Sequence, residues 1–314
     1  MSWAFTFDVA LTALVLGVAI WTLSLRENFG AVVAFAVYGL TLTLVWLRLG
    51  APDVALTEAA IGSGLTGALL LAAAARLRST EPAIAAESPG GGVRVAAAVL
   101  SAIVAGGIVL AVLALPVPAP SLAPNAVADL AATGLGNAVT GVLMAYRAAD
   151  TLLEKVVVLI AVIAVWSLAD SRVWGGRPGP AHRAEPDGAL AFLARRLPPL
   201  GIVAGVYIAW VGADMPGGAF PGGTIIAAMW LLTIMAGVKD TPPISSRGLR
   251  LALTVGPAVF LAVGLCGFFI ADAFLAYPVA YAKPLIVLVE VGMVLTIAVS
   301  LGLLMAGPPE RSGK

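Results

Sequence analysis

The chain has 314 residues, 61% of them hydrophobic and only 11% charged, with a mean hydropathy of +1.03. This composition excludes an ordinary soluble domain and predicts an all-α polytopic membrane protein. One cysteine, Cys266, excludes an internal disulfide; one histidine, His182, excludes a histidine cluster for metal or haem; and a net charge of +1 gives no footing for nucleic acid.

A membrane span needs about 20 apolar residues, and nine segments qualify, two of them short. The first run carries Asp8 and no basic flank, which reads as a retained span and not a cleaved signal. The first two spans, about 7 to 25 and 29 to 48, are separated by Arg26, Glu27 and Asn28 and form a tight hairpin. Gly50 to Pro52 breaks the helix, and Asp53 opens the third span, about 53 to 75, where a first-turn acid complements the helix dipole. Glu58 is followed on one face by Gly62 and Thr66, while Ala59, Ser63 and Gly67 make a small-residue stripe suited to close helix approach. The letters of Gly62 to Gly67, GSGLTG, spell a dinucleotide fingerprint, but no strand precedes them and the match is chance. Glu58 either reaches back to water at the interface or serves a proton or ion path in a crowded interior.

Residues 77 to 92 read as a polar linker, and the fourth span, about 93 to 115, is closed by PVPAPSLAP, which is expected along the membrane surface. A glycine-interrupted approach from Ala128 to Thr140 leads into NAVTGVLMAYRAADTLLEK, Asn137 to Lys155. Read as one helix, Arg147, Asp150 and Glu154 share a face at i, i+3 and i+7, and Lys155 points about 100° away from Glu154. No ionisable residue follows from Val156 to Leu168, so these charges enter the fifth span, about 150 to 169. An ionisable group in hydrocarbon costs about 2.5 to 3.5 kcal/mol on insertion scales, which favours a paired, interior-facing, functional face. The alternative is an Arg147–Asp150 pair that only anchors the helix at the headgroups.

Residues 170 to 195 form the longest polar stretch and a second boundary. The sixth and seventh spans, about 196 to 212 and 224 to 238, flank MPGGAFPGG, Met215 to Gly223, whose two Pro-Gly-Gly units are expected to interrupt helix. That interruption is either a tight surface turn or an irregular segment shielded at membrane depth. The eighth span, about 249 to 270, should kink at Gly256-Pro257, and the ninth, about 283 to 306, holds Glu290 some two turns inside. With nine spans, 14 Lys and Arg residues fall on the side of the C-terminus and three on that of the N-terminus. The bias predicts a cytoplasmic C-terminus and an N-terminus outside.

GAPDVALTEAAIGSGLTGALLL, Gly50 to Leu71, resembles the segment near the C-terminal end of the large A subunit of Mrp-type multisubunit cation/proton antiporters, and the homologous small subunits of membrane-bound hydrogenases. GNAVTGVLMAYRAADTLLEKVVVLIA, Gly136 to Ala161, is similar to the segment that follows it there, where an aromatic-Arg-x-x-Asp-Thr-x-x-Glu pattern recurs. MPGGAFPGGTIIAA, Met215 to Ala228, and PLIVLVEVGMVLTIA, Pro284 to Ala298, are similar to the antiporter B subunit. The resemblance implies a fusion of three modules: residues 1–85 with three helices, 86–175 with two helices and the charged stretch, and 176–314 with four helices like a B subunit. It implies a transporter subunit of the cell inner membrane, without enzymatic activity or cofactor. Its partners would be a large antiporter-like subunit and small membrane subunits, and its ions Na+ or another monovalent cation and H+.

Glu58 and Glu154 fall on family glutamates implicated in the ion or proton path, and Arg147, Asp150, Lys155, Thr66 and Glu290 are the further candidates beside them. Lys155 departs from the family, where the next residue is usually apolar; a lysine there would hold Glu154 ionised or replace a bound cation. Two other readings stand beside this one: an ion-translocating membrane subunit of a hydrogenase-like respiratory complex, and a structural spacer.

Overall fold

The computed structural model describes residues 3–77, 90–180 and 188–309. Among these the protein is helical, and its only β-type pairing is an isolated bridge of Pro178 and Gly179 with Pro309. The long helices are α1 (Trp3–Ser24), α2 (Asn28–Arg48), α3 (Pro52–Leu77), α4 (Gly91–Leu113), α5 (Ala148–Ser167), α6 (Ala189–Val211), α7 (Ala219–Met235), α8 (Arg247–Ile270) and α9 (Ala282–Ala306). Seven helices among the described residues are long and apolar enough to cross a membrane. The other two are α7, which has 17 residues, and α5, which has 20 and carries Asp150, Glu154 and Lys155. This is a multi-pass membrane protein.

The expected α1–α2 hairpin forms, and Arg48 at the end of α2 closes it by a two-pronged ion pair to Asp8, at 2.6 and 2.9 Å. Gly50 takes a positive φ of 74°, which only glycine adopts without strain, and lets Pro52 start α3. The stripe expected on α3 is where α2 comes closest: a methyl on Gly67 would lie 3.2 Å from Ala36 Cβ, and one on Gly39 would lie 2.7 Å from Ser63 Cβ. Every residue of α4 is exposed. Helices α6 to α9 pack in a group, with α5 against α8 and α9 and the middle of α3 against α7. Phe260, Ile286, Val289, Met293 and Ile297 form the centre of the core, and Val162 and Trp166 of α5 join Leu249, Leu253 and Leu303 in a second cluster.

Two expectations are corrected. The sixth span is not short: α6 has 23 residues and continues through Pro198 and Pro199, whose fixed φ is compatible with helix although neither can donate to the carbonyls of Ala194 and Arg195. Only the first Pro-Gly-Gly, Pro216 to Gly218, lies outside helix, and α7 takes in AFPGG. Pro221 sits in the first turn, where no intrahelical N–H is needed. Gly222 and Gly223 serve close packing there: a methyl on Gly222 would lie 2.5 Å from the Gly205 carbonyl oxygen of α6, and one on Gly223 would lie 2.8 Å from Ile297 of α9. The described part of the second polar stretch is bound to the rest of the chain, with the Ile244 N–H donating to Gly176, the Thr241 hydroxyl to Pro178 and the Gly179 N–H to Pro308. Residues 78–89 of the expected linker, and His182 and Arg183 of the second stretch, lie outside the described residues.

At Gly256-Pro257 the Thr296 hydroxyl enters the backbone ladder of α8. It accepts from the Gly256 N–H and donates to the Ala252 carbonyl, each at 3.0 Å. A side chain wedged into an i→i−4 bond is one of the recognised causes of a helix bend.

Candidate functional site

Two stretches of wide, π-helical turn flank one cleft. The first is Glu58–Leu65 within α3, and the second is Val142–Tyr146, just before α5. Such turns leave carbonyls poorly matched, and local hydroxyls take them up. Ser63 donates to Glu58 and Ala59, Thr66 to Ile61 at 2.8 Å, and Thr151 to Leu143 at 2.7 Å. The cleft encloses about 220 Å³ and is lined from α3 by Asp53, Thr57 and Ile61, from α5 by Thr151, Glu154 and Lys155, and from α9 by Glu290 and Met293. The turn from Gly217 to Pro221 forms another wall.

Lys155 is its most unusual member. The side chain is 1% exposed, its Nζ has no hydrogen-bond partner, and it lies 3.2 Å from the centroid of the Phe220 ring. Glu154 Oε2 is 3.7 Å away on a side chain that is 53% exposed. The roughly 100° step between successive helical residues holds, and it is Lys155 that turns inward. Glu290 is buried, with its carboxylate at the start of α7, where it faces the Ala219 N–H and would lie 3.6 Å from a methyl on Gly218. Lys155 and Glu290 line the same cleft. A second, apolar groove lies on the far side of Glu290, lined by Trp210, Val287 and Leu295 among others.

The remaining candidates lie elsewhere. Glu58 folds its carboxylate back over Gly62, on the side of α3 where Gly39 of α2 approaches, and does not line the cleft. Thr66 spends its hydroxyl on its own helix. Arg147 leaves helical geometry at φ −127°, so the single face expected for Arg147, Asp150 and Glu154 is broken at its first member. Arg147 instead makes an exposed pair with Asp150, Nε to Oδ2 at 2.5 Å. The break arises because the wide turn before α5 ends at Tyr146 and the helix restarts at Ala148.

Asp53 does more than complement a dipole. Its Oδ1 accepts from Asn137 Nδ2 and from the Gly217 N–H, both at 3.1 Å, and Asn137 Nδ2 also donates to the Met215 carbonyl at 3.0 Å. Thr140 donates to the Gly212 carbonyl at 2.6 Å. Beside this knot, Lys283 pairs with Asp214 at 2.6 and 2.8 Å, which holds the Asp214 carboxyl below the usual carboxylate range. Residue type alone offered no signal for these long-range partners. Among the described residues, no group of three or more His, Cys, Asp or Glu side chains is placed to hold a metal ion.

Residues 13–79 match the MbhD family of MBH subunits, and residues 189–307 match a domain related to the MnhB subunit of Na+/H+ antiporter. Together the matches cover more than half of the chain. The uncharacterized protein MJ1307 of Methanocaldococcus jannaschii is 27% identical over 154 residues, which is 44% of this chain and 59% of that protein. The structure of the Mrp complex from Dietzia sp. DQ12-45-1b contains a chain that matches 97% of this one at a TM-score of 0.75 and 23% identity, over 35% of its own length. A chain of the membrane-bound sulfane sulfur reductase, an archaeal respiratory membrane complex, matches 67% of this one at a TM-score of 0.56 and 24% identity, over 95% of its length. At these identities the two structures show a shared fold, and the chain spans less than two thirds of MJ1307 and about a third of the Mrp chain. The chain thus combines a region of the MbhD family with a region related to the MnhB subunit of Na+/H+ antiporter, within a fold shared with an Mrp chain.

Proposed function

We propose that the protein is a transporter subunit, not an enzyme, of an Mrp-like multisubunit cation/proton antiporter, and that its cleft forms part of a proton path. The observation that carries this reading is the meeting of Glu154, Lys155 and Glu290 around one cavity inside a membrane protein. Ionisable groups are costly at such depth and are kept where charge must move. Glu154, on the open side, exchanges protons with water or a partner subunit; Glu290, buried beyond Lys155, takes the proton inward. Glu58 and Thr66, between α2 and α3, belong to a separate branch of the path, and Arg147 with Asp150 guides protons to its mouth.

The reading includes nine spans, with α7 covered by α6 and α9 and α5 turning Lys155 inward, a C-terminus in the cytoplasm and an N-terminus outside. It divides the chain into modules at 1–85, 86–175 and 176–314, in the inner membrane, joined to a large antiporter-like subunit and to small membrane subunits. The exchanged ions are H+ and Na+ or another monovalent cation. A second reading, the membrane foot of a respiratory redox complex, is favoured by the MbhD match and by the reductase chain that this one covers almost fully.

The test is cation-driven proton movement in everted vesicles that carry the assembled complex, comparing wild type with Glu154→Gln and Glu290→Gln. Loss of exchange with co-purification intact supports the path; unchanged exchange in both refutes it and leaves a structural spacer. The identity of the co-purifying subunits, antiporter or oxidoreductase, decides between the two complexes.

A further inference from the structure

Lys155 has a consequence for which ion this cleft accepts, and it rests on the proton path proposed above. Its ammonium is enclosed by protein, yet none of its three donors is matched by an acceptor in hydrogen-bond range. Buried charges are ordinarily both paired and hydrogen-bonded. What surrounds this one is the Phe220 ring face at 3.2 Å, the Glu154 carboxylate at 3.7 Å, and Glu290 across the same cavity. An aromatic face attracts any compact cation through its quadrupole, and two carboxylates attract it through charge. The surroundings are therefore those of a partly dehydrated monovalent cation, and the lysine side chain has delivered one covalently.

We propose that Lys155 is a tethered cation that fills a monovalent-cation site formed by Phe220, Glu154 and Glu290, so that this cleft passes protons and admits no free monovalent metal ion. The charged groups facing it are Asp53 from α3, Glu154 from α5 and Glu290 from α9; the wide turn before α5 and the Gly217 to Pro221 turn contribute none. Asp53 is already engaged by Asn137 and Gly217. The fixed ammonium thus balances one of the two remaining carboxylates, and the other is left to gain and lose a proton. A charge held on a side chain cannot be released, so any net charge movement through the cleft is a movement of protons. Exchange of a metal cation in the complex then belongs to another subunit or another branch.

The experiment uses the purified full chain in nanodiscs in choline buffer, with Tl+ and Na+ as probes in isothermal titration. Wild type is expected to show no saturable site. Lys155→Met, an apolar side chain of similar length, is expected to gain a site at least tenfold tighter than any wild-type binding, and Lys155→Met with Glu290→Gln is expected to lose it. Lys155→Gln, which keeps a polar tip in the cavity, is measured alongside and is expected to gain the same site. Absence of a new site in both single variants overturns the inference, as does saturable wild-type binding that Glu290→Gln removes. The two failures are separable: the titration judges the tethered cation whatever the vesicles do, and unchanged exchange in Glu154→Gln and Glu290→Gln overturns the path beneath it.

Discussion

Replacing Lys155 by methionine should make the protein more stable. Enclosing an ammonium costs several kcal/mol even after relaxation. Against this stand the Phe220 ring, about 2 kcal/mol for a desolvated contact, and Glu154, whose half-exposed carboxylate at 3.7 Å is screened to about 1 kcal/mol or less. Glu290 adds attraction but is itself buried and carries its own desolvation cost. No hydrogen bond to Nζ reduces the deficit. Methionine fills nearly the same volume without charge. Replacing a whole buried ion pair by apolar groups is neutral or stabilises by about 1 to 4 kcal/mol, and because buried Glu290, left without its cation, takes up a proton so that no charge is stranded, the single swap points to about 1 to 3 kcal/mol. Thermal unfolding of the purified chain in nanodiscs, free of monovalent metal ions, should show a higher midpoint for Lys155→Met. A midpoint lowered by a comparable amount would refute the reasoning, because it would mean that the ammonium has partners in the cleft that more than offset its burial.

Asp53→Ala removes two hydrogen bonds to a carboxylate, each worth about 1.5 kcal/mol at the lower end for a half-buried acceptor, so unfolding should become easier by about 2 to 4 kcal/mol. A loss below about 0.5 kcal/mol would mean that the knot is dispensable. Thr296→Val strands the Gly256 N–H and the Ala252 carbonyl and should cost about 1 to 2 kcal/mol in the same assay, with Thr296→Ser close to wild type. Gly222→Ala pushes a methyl onto the backbone of α6 and should cost about 1 to 3 kcal/mol, whereas Gly106→Ala, with nothing within 4 Å, should leave the midpoint unchanged or slightly raised. Because Lys283 lowers the Asp214 pKa, the pair's contribution is fully present above the ordinary carboxylate value near 3.8 and fades as pH falls through the lowered one. Asp214→Asn should flatten that acid limb of the stability profile; an unaltered limb would exclude the pair as its source.

The helices were legible because their breaks are chemical. Gly50-Ala51-Pro52 ends one helix and starts the next, Arg26-Glu27-Asn28 is a polar gap between two apolar runs, and 20-residue apolar runs have few other fates. Lys155 against Glu154 was not legible. Sequence fixes their angular separation, but a span that is apolar on every side does not say which direction is inward. The Arg147 face failed for another reason: periodicity assumes one continuous helix, and the wide turn at Val142–Tyr146 resets the phase. The second Pro-Gly-Gly was misjudged because proline and glycine break helices in isolation, yet in a first turn against close neighbours both are suited to helix. Asp53 was seen at its helix start, and its true partners were invisible because nothing local in a sequence encodes a contact across the fold.

The Asp53 knot also sets a timetable for biogenesis. The Gly217 N–H that completes it lies 164 residues further along the chain. At ribosomal rates of about 5 to 20 residues per second, the carboxylate waits roughly 8 to 33 s for that partner. During the wait the third helix is held by its seam with α2, where Ser63 and Gly67 meet Gly39 and Ala36. The first three helices must therefore persist in the bilayer as an unfinished intermediate, and a nascent chain stalled before residue 217 would present Asp53 incompletely satisfied, a mark by which quality control in the membrane can tell it from the finished protein.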